Sequence, residues 1–291
     1  MEQIYFGPGG NCERFYAEGY ASTTQAPAWL KGLGLNAYEY AAGRGVTVGE
    51  KTARAIGAAA CENGIALSLH APYYINCATP DADKHEKSLA YLLDAARACD
   101  RMGGARVVFH VGSPTRLARD EANRLAHATV EQALRCLDDN GLGHIHLCPE
   151  TMGRAGQLGT LDETLQLCLL DERMIPTLDF GHLHTIGLGA LNTQDDFRRV
   201  LGRTMQVLGA RARHFHAHFS KIDFTAKGEK RHLRFSDADA GPDFALLAPL
   251  LDEYRLFPTI ICESSGTQAD DAITMRDLYR RAARNSAHGD A

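Results

Sequence analysis

Eight times over, this chain alternates a short apolar run with a longer amphipathic stretch, and no other feature constrains its fold as much. The runs cover residues 3–6, 35–40, 65–69, 105–109, 144–148, 175–183, 214–218 and 259–262. Helical spacing fills the intervals from near Pro27 and over residues 49–63, 81–102, 117–140, 161–171, 194–208, 244–254 and 269–284. Glycines such as Gly64, Gly103 and Gly141 stop several of these stretches. Strands separated by helices cannot pair through tight hairpins; the crossover forces parallel pairing. Units averaging about 36 residues over 291 predict an α/β fold, a (β/α)8 TIM barrel, near the roughly 250 residues such barrels need. The expected organisation is one domain over residues 1–291, with a long polar loop after residue 218 and a frayed tail from 285 to 291.

Composition narrows the setting. No window approaches the roughly 20 apolar residues of a membrane span, and the first residues lack a basic start followed by an apolar core. A cytoplasmic monomer that does not touch membranes is expected. The eight cysteines form no C-x-x-C pair, which suits small buried hydrophobes in a reducing compartment. A formal charge of −5 gives no general attraction to nucleic acid, so polyanion binding would need a local patch or bound ions.

In a (β/α)8 barrel the C-terminal ends of all strands open on one face, and residues distant in sequence converge there. Here those ends carry His70, His110, Glu150, Asp179, His216 and Glu263, one from each of the third to eighth runs, and His182 follows Asp179 by three. Any one of them alone reads as a cap or loop residue. Imidazole or carboxylate at six consecutive strand ends reads as one shared site. Imidazoles and carboxylates without a thiolate suit zinc, manganese or a related divalent ion, and the surplus over one catalytic zinc points to more than one metal.

The order and spacing of His70 with Tyr73-Tyr74-Ile75-Asn76, His110-Val111-Gly112-Ser113, Pro149-Glu150-Thr151 with Gly156 and Gly159, Asp179-Phe180-Gly181-His182, His216 with Ser220-Lys221, and Glu263 resemble the endonuclease IV family. That family contains apurinic/apyrimidinic-site nucleases built on a xylose-isomerase-like barrel. The resemblance runs from about residue 35 to 263. It implies one zinc on His70, His110 and Glu150, a second on Glu150, Asp179, His216 and Glu263, and a third on His182 with a His and an Asp from the polar loop. His232 matches the His. The family's Asp-x-His is replaced by Glu229-Lys230-Arg231-His232, so the last ligand is Glu229, Asp223 or Asp237, with Glu229 the first choice. His218 and Phe219 stand where the family has Asn and Asp.

The resemblance further implies catalytic roles for Glu150 and Glu263, two to three Zn2+ or Mn2+ ions, and DNA containing abasic sites as partner. Tyr73 and Tyr74 would stack beside the lesion, and Arg44, Lys221 and Arg231 would contact the backbone. The family's basic, aromatic loop after the second strand is absent, Ala41 to Val46 standing in its place. The expected reaction is hydrolysis 5′ to an abasic site. The rival is a one-metal sugar isomerase or epimerase using Glu150, Asp179, His216 and Glu263, and a third reading is a metal-binding protein without activity.

Overall fold

A computed structural model of the chain describes residues 2–289. Along it follow β1 (Tyr5–Pro8), α1 (Glu13–Ala17), α2 (Ala26–Gly32), β2 (Ala37–Ala41), α3 (Glu50–Asn63), β3 (Ala66–His70), α4 (Ala82–Arg101), β4 (Arg106–Phe109), α5 (Arg119–Asp139) and β5 (His146–Pro149). Then come α6 (Leu161–Leu167), β6 (Thr177–Asp179), α7 (Phe180–Ile186), α8 (Gln194–Leu208), β7 (His216–Phe219), β8 (Lys221–Thr225), β9 (Gly228–Leu233), α9 (Phe244–Glu253), β10 (Thr259–Cys262) and α10 (Gln268–Gly289).

The fold is the expected TIM barrel. Parallel pairing runs β2-β3-β4-β5 and β1-β10-β7-β6. Single parallel bridges, Gly9 to Glu39 and Glu150 to Thr177, join the two arcs and close the barrel. The helices pack their apolar faces on the outside of it, and six of the eight cysteines are buried there or in the strands. No helix among the described residues is long and apolar enough to cross a membrane.

Local chemistry explains where the elements differ from the expected boundaries. β1 does not stop at Phe6 but continues through Gly7 and Pro8 in register with Ile261 and Cys262. The stretch 175–183 is not a strand ending in a turn. Asp179 caps α7, its Oδ1 accepting the His182 backbone N–H at 2.7 Å, so the chain turns into a helix as soon as the strand reaches the barrel mouth. The polar segment after β7 is a β8–β9 hairpin rather than a loop. The final helix runs to Gly289 and takes in part of the expected tail; residues 290 and 291 lie outside the described residues.

The loop that follows Glu150 is tied down by charge. Glu163 accepts from Arg119 Nε and Nη2 at 2.6 and 2.8 Å, from Asn123 at 3.0 Å, and from the Gly159 and Thr160 backbone N–H groups at 2.9 Å each, closing a capping box with Thr160. Burial works to raise this carboxyl, but Arg119, Asn123 and the backbone donors outweigh it and hold it at about 2 against an ordinary 4.5. Because the folded value is depressed, the contribution is complete above pH 4.5 and fades as pH falls towards 2, a shift equivalent to about 3 kcal/mol. Glu163→Gln is expected to lose that amount at pH 7 and to flatten the acid limb of stability against pH, measured by urea unfolding from pH 7 to 3.

Candidate metal centre

At the C-terminal mouth, Glu150 from the end of β5 sits at the middle of a ring of imidazoles. Its Oε2 lies 3.2 Å from His70 Nε2 and 3.1 Å from His110 Nε2. Its Oε1 lies 3.1 Å from His218 Nδ1 and 3.4 Å from His182 Nδ1. Asp179 and Glu263 approach the same His218 nitrogen from the next strands, at 4.0 and 3.6 Å. Glu150 therefore faces two donor groups with its two oxygens, as a bridging carboxylate must.

A third group sits beside the first two. His182 Nε2 lies 3.1 Å from Glu229 Oε2, and His232 Nε2 lies 3.7 Å from Glu229 Oε1. Of the three candidates for its carboxylate, the structure brings in Glu229. Asp223 is engaged by Lys230 Nζ at 2.9 Å and Arg231 Nε at 3.4 Å, and Asp237 accepts the Arg234 backbone N–H at 2.8 Å. The hairpin pairing explains how Glu-x-x-His presents both ends to one place. Residues three apart in a regular strand face opposite sides, but the register slips here: Asp223 pairs with Arg231 and Phe224 with Glu229, leaving Lys230 as an extra, unpaired residue. That bulge absorbs one residue and returns His232 to the side of Glu229. The tip of the hairpin docks closely: Gly228, at φ +114°, would place a Cβ 2.7 Å from the Gly153 carbonyl, and the Glu229 N–H donates to that same carbonyl at 3.2 Å.

His216 is not brought to the groups that share Glu150; it groups with Glu39 and His218. It was expected among the ligands, yet it lies one layer deeper, fully buried, with Nε2 3.0 Å from Glu39 Oε2 and neither ring nitrogen in an aligned hydrogen bond. His218, two residues on, takes the expected place. Both point into the barrel because side chains on one face repeat every second residue. Register decides which reaches the mouth: His218 pairs with Asp179, His216 with Thr177. Glu39, from the middle of β2, escaped the sequence reading altogether; its one visible sign is a carboxylate set between two tyrosines inside a strand.

The donor set fits divalent ions. His70 and His182 each have Nδ1 2.8 Å from a backbone carbonyl, of Ala71 and Thr151; a carbonyl only accepts, so each ring donates there and aims Nε2 at the carboxylates. His218 has Nε2 2.9 Å from Glu39 Oε1 and turns Nδ1 towards Glu150, Asp179 and Glu263. Asp179 Oδ2 is buried and makes no hydrogen bond, an orphaned oxygen aimed into the centre. Zinc or manganese, with their taste for imidazole and carboxylate, would be held by His70 and Glu150 with His218 or with His110, which meets the same Glu150 oxygen, by Glu150, Asp179, His218 and Glu263, and by His182, Glu229 and His232.

Protonation tells the same story. Burial lowers an imidazole's affinity for a proton, but the carboxylates reverse this: His70 rises to about 9, His182 to about 10, and His218 stands well above its ordinary range. Burial raises Glu150, yet His218 and His110 hold it well below the usual carboxylate range. Protons occupy the place of cations, so ion uptake must displace them. Loading zinc at pH 7 is expected to release more than one proton per chain, measured as the buffer dependence of the binding enthalpy; a buffer-independent enthalpy would contradict this picture.

A cavity of about 500 Å³ opens over the centre, walled by His110, Met152, Arg154, Gln157 and Glu263 among others. Beside it a hollow of about 410 Å³ lies under Tyr73 and Tyr74, and Arg154 lines both. The two tyrosines are half exposed with ring centroids 4.4 Å apart. Arg44 is near enough to Tyr73 to lower its hydroxyl, after the larger effect of Tyr74. Of the residues expected at the substrate, Lys221 Nζ donates to the Asp237 carbonyl at 2.7 Å, and Arg231, largely exposed, leans on Asp223 at 3.4 Å.

A model of the xylose isomerase-like TIM barrel matches residues 27–284. The chain belongs to that family. Within this xylose isomerase-like set, an uncharacterized protein of Methanocaldococcus jannaschii is 30% identical over 250 residues, covering 85% of this chain and 88% of that one. A probable endonuclease 4 of Mycoplasmoides gallisepticum is 29% identical over 178 residues, 54% of this chain and 56% of its own length. The chain thus spans little more than half of that endonuclease relative. Among solved structures, a D-tagatose 3-epimerase-like protein superposes with a TM-score of 0.73 at 16% identity, covering 98% of this chain and 100% of the other. At that identity the likeness speaks for the fold.

Proposed function

We propose that the chain is a metal-dependent phosphodiesterase of the endonuclease IV kind, hydrolysing DNA 5′ to abasic sites. The observation that carries this reading is the third donor group, His182, Glu229 and His232, set beside the two groups that share Glu150. The one-metal isomerase reading needs one ion beside a pair of carboxylates; a hairpin bulge that brings in a further carboxylate and imidazole suits a reaction with more charge to neutralise. The endonuclease 4 relatives support the same choice.

Bound divalent ions supply Lewis-acid activation of water and neutralise charge on the phosphate. The protein does the rest. Glu150 fixes the spacing of the donor groups, and Glu263, about a quarter exposed at the cavity wall, takes the proton of the attacking water. Tyr73 and Tyr74 offer a stacking surface for the base next to the scissile bond, and Arg154, which makes no ion pair among the described residues, meets a phosphate.

One observation favours the rival. Glu150, Asp179, His218 and Glu263 form a complete four-ligand group without the hairpin, sufficient for a one-metal epimerase. A duplex with one abasic site and a panel of ketoses in deuterated water separate the two. Incision 5′ to the lesion supports the nuclease; deuterium uptake into a ketose without incision overturns it.

A further inference from the structure

Beneath the metal centre lies a buried polar layer. Glu39 on β2 is 1% exposed, Ser68 on β3 4%, and His216 and His218 on β7 are both fully enclosed. Ser68 Oγ donates to Glu39 Oε2 at 2.8 Å, His218 Nε2 lies 2.9 Å from Glu39 Oε1, and His216 Nε2 lies 3.0 Å from Oε2. A carboxylate this deep is expensive unless its neighbours compensate it. Hydrogen bonds to Ser68 and His218, with His216 close by, surround both oxygens. None of these contacts reaches the cavity, so the layer does not bind substrate.

We infer that Glu39 is a positioning residue for the metal centre, holding the Nε2–H of His218 so that, once an ion displaces the Nδ1 proton, the Nδ1 lone pair faces Glu150, Asp179 and Glu263. The chemistry is that of an outer carboxylate behind a ligating imidazole: an accepting group on one ring nitrogen fixes the tautomer, the ring plane and the basicity of the other. The geometry has the required polarity. Nε2 meets the inner carboxylate alone, while Nδ1 lies 3.1 Å from Glu150 Oε1, 3.6 Å from Glu263 Oε2 and 4.0 Å from Asp179 Oδ2. No backbone carbonyl anchors this ring, whereas carbonyls anchor His70 and His182. Strand register explains the partner: Glu39 pairs with Ser68, and alternation along β7 points His216 and His218 into the same barrel interior. The inference rests on the metal-centre reading and not on the choice of substrate.

The test compares wild type with Glu39→Gln, which keeps shape but removes the charge and puts an NH2 donor in place of one accepting oxygen, and with Ser68→Ala, which removes one donor and leaves His218 its partner. Zinc affinity is measured by competition with a chromophoric chelator, and imidazole tautomers by long-range nitrogen–proton NMR correlations on the zinc-loaded proteins. Glu39→Gln is expected to weaken one ion by about tenfold to a hundredfold and to leave the others unchanged, with His218 losing its fixed Nε2–H signature. Ser68→Ala is expected to bind as wild type within about threefold. Thermal melts of the metal-free proteins establish that each variant is folded. Wild-type affinity and tautomer in folded Glu39→Gln would overturn the inference while leaving the centre standing. Absence of zinc binding by wild type would instead bring down the metal-centre reading itself.

Discussion

Glu150→Ala is expected to lower hydrolytic activity by about a thousandfold or more and to strip zinc from two of the three donor groups, leaving a folded barrel. Glu150 is shared: one oxygen faces His70 and His110, the other His218, so a single truncation removes a ligand from both groups. The third group, His182, Glu229 and His232, does not contain it. Removing a buried carboxylate usually destabilises, because its partner charge is stranded. Here the partners are imidazoles that shed their protons once the carboxylate is gone, and strand-end residues on this face serve the site more than the core. Activity, elemental analysis and a thermal melt on one preparation check all three parts. Retained activity with full metal content would show that Glu150 does not bridge the groups.

The largest expected effect on stability comes from Gly7→Ala. A Cβ built on Gly7 would sit 1.8 Å from the Ala37 carbonyl oxygen and 2.3 Å from its carbon. Both are main-chain atoms at the start of β2, at the seam where β1 meets β2 beside the Gly9–Glu39 bridge. No side chain can swing aside. Relief requires the seam to part, at a cost of about 4 kcal/mol or more, so the variant is expected to melt far below wild type or fail to fold. Gly43→Ala, on the open loop after β2 where a Cβ meets nothing, is the control and should change stability by less than about 1 kcal/mol. Urea unfolding of both variants provides the measurement.

These two positions show what the sequence discloses and what it hides. Glu150 and Asp179 were legible because an apolar run ending in a carboxylate, repeated strand after strand, leaves few places for such groups except the barrel mouth. Gly7 lies just past the run at 3–6 and nothing in the sequence marks it, since its role is set by the Ala37 main chain on the next strand. The confusion of His216 with His218 has the same origin. Alternation gives the direction of both side chains, into the barrel, but their depth comes from the register of β7 against β6, which pairs His218 with Asp179. Glu39 stayed hidden because a carboxylate within a strand signals nothing until Ser68 and His218 are seen around it. The hairpin read as a polar loop because its exposed face, Lys230 and Arg231 included, is charged. The choice of Glu229 over Asp223 and Asp237 waited on a bulge whose existence depends on the pairing partner.

The proposed reaction depends on a centre for more than one metal ion built on Glu150. Elemental analysis of protein purified without chelator tests it most directly. Two to three zinc or manganese ions per chain, falling to no more than one in Glu150→Ala, is the result predicted. A single ion per wild-type chain, or a content that Glu150→Ala leaves unchanged, would contradict it.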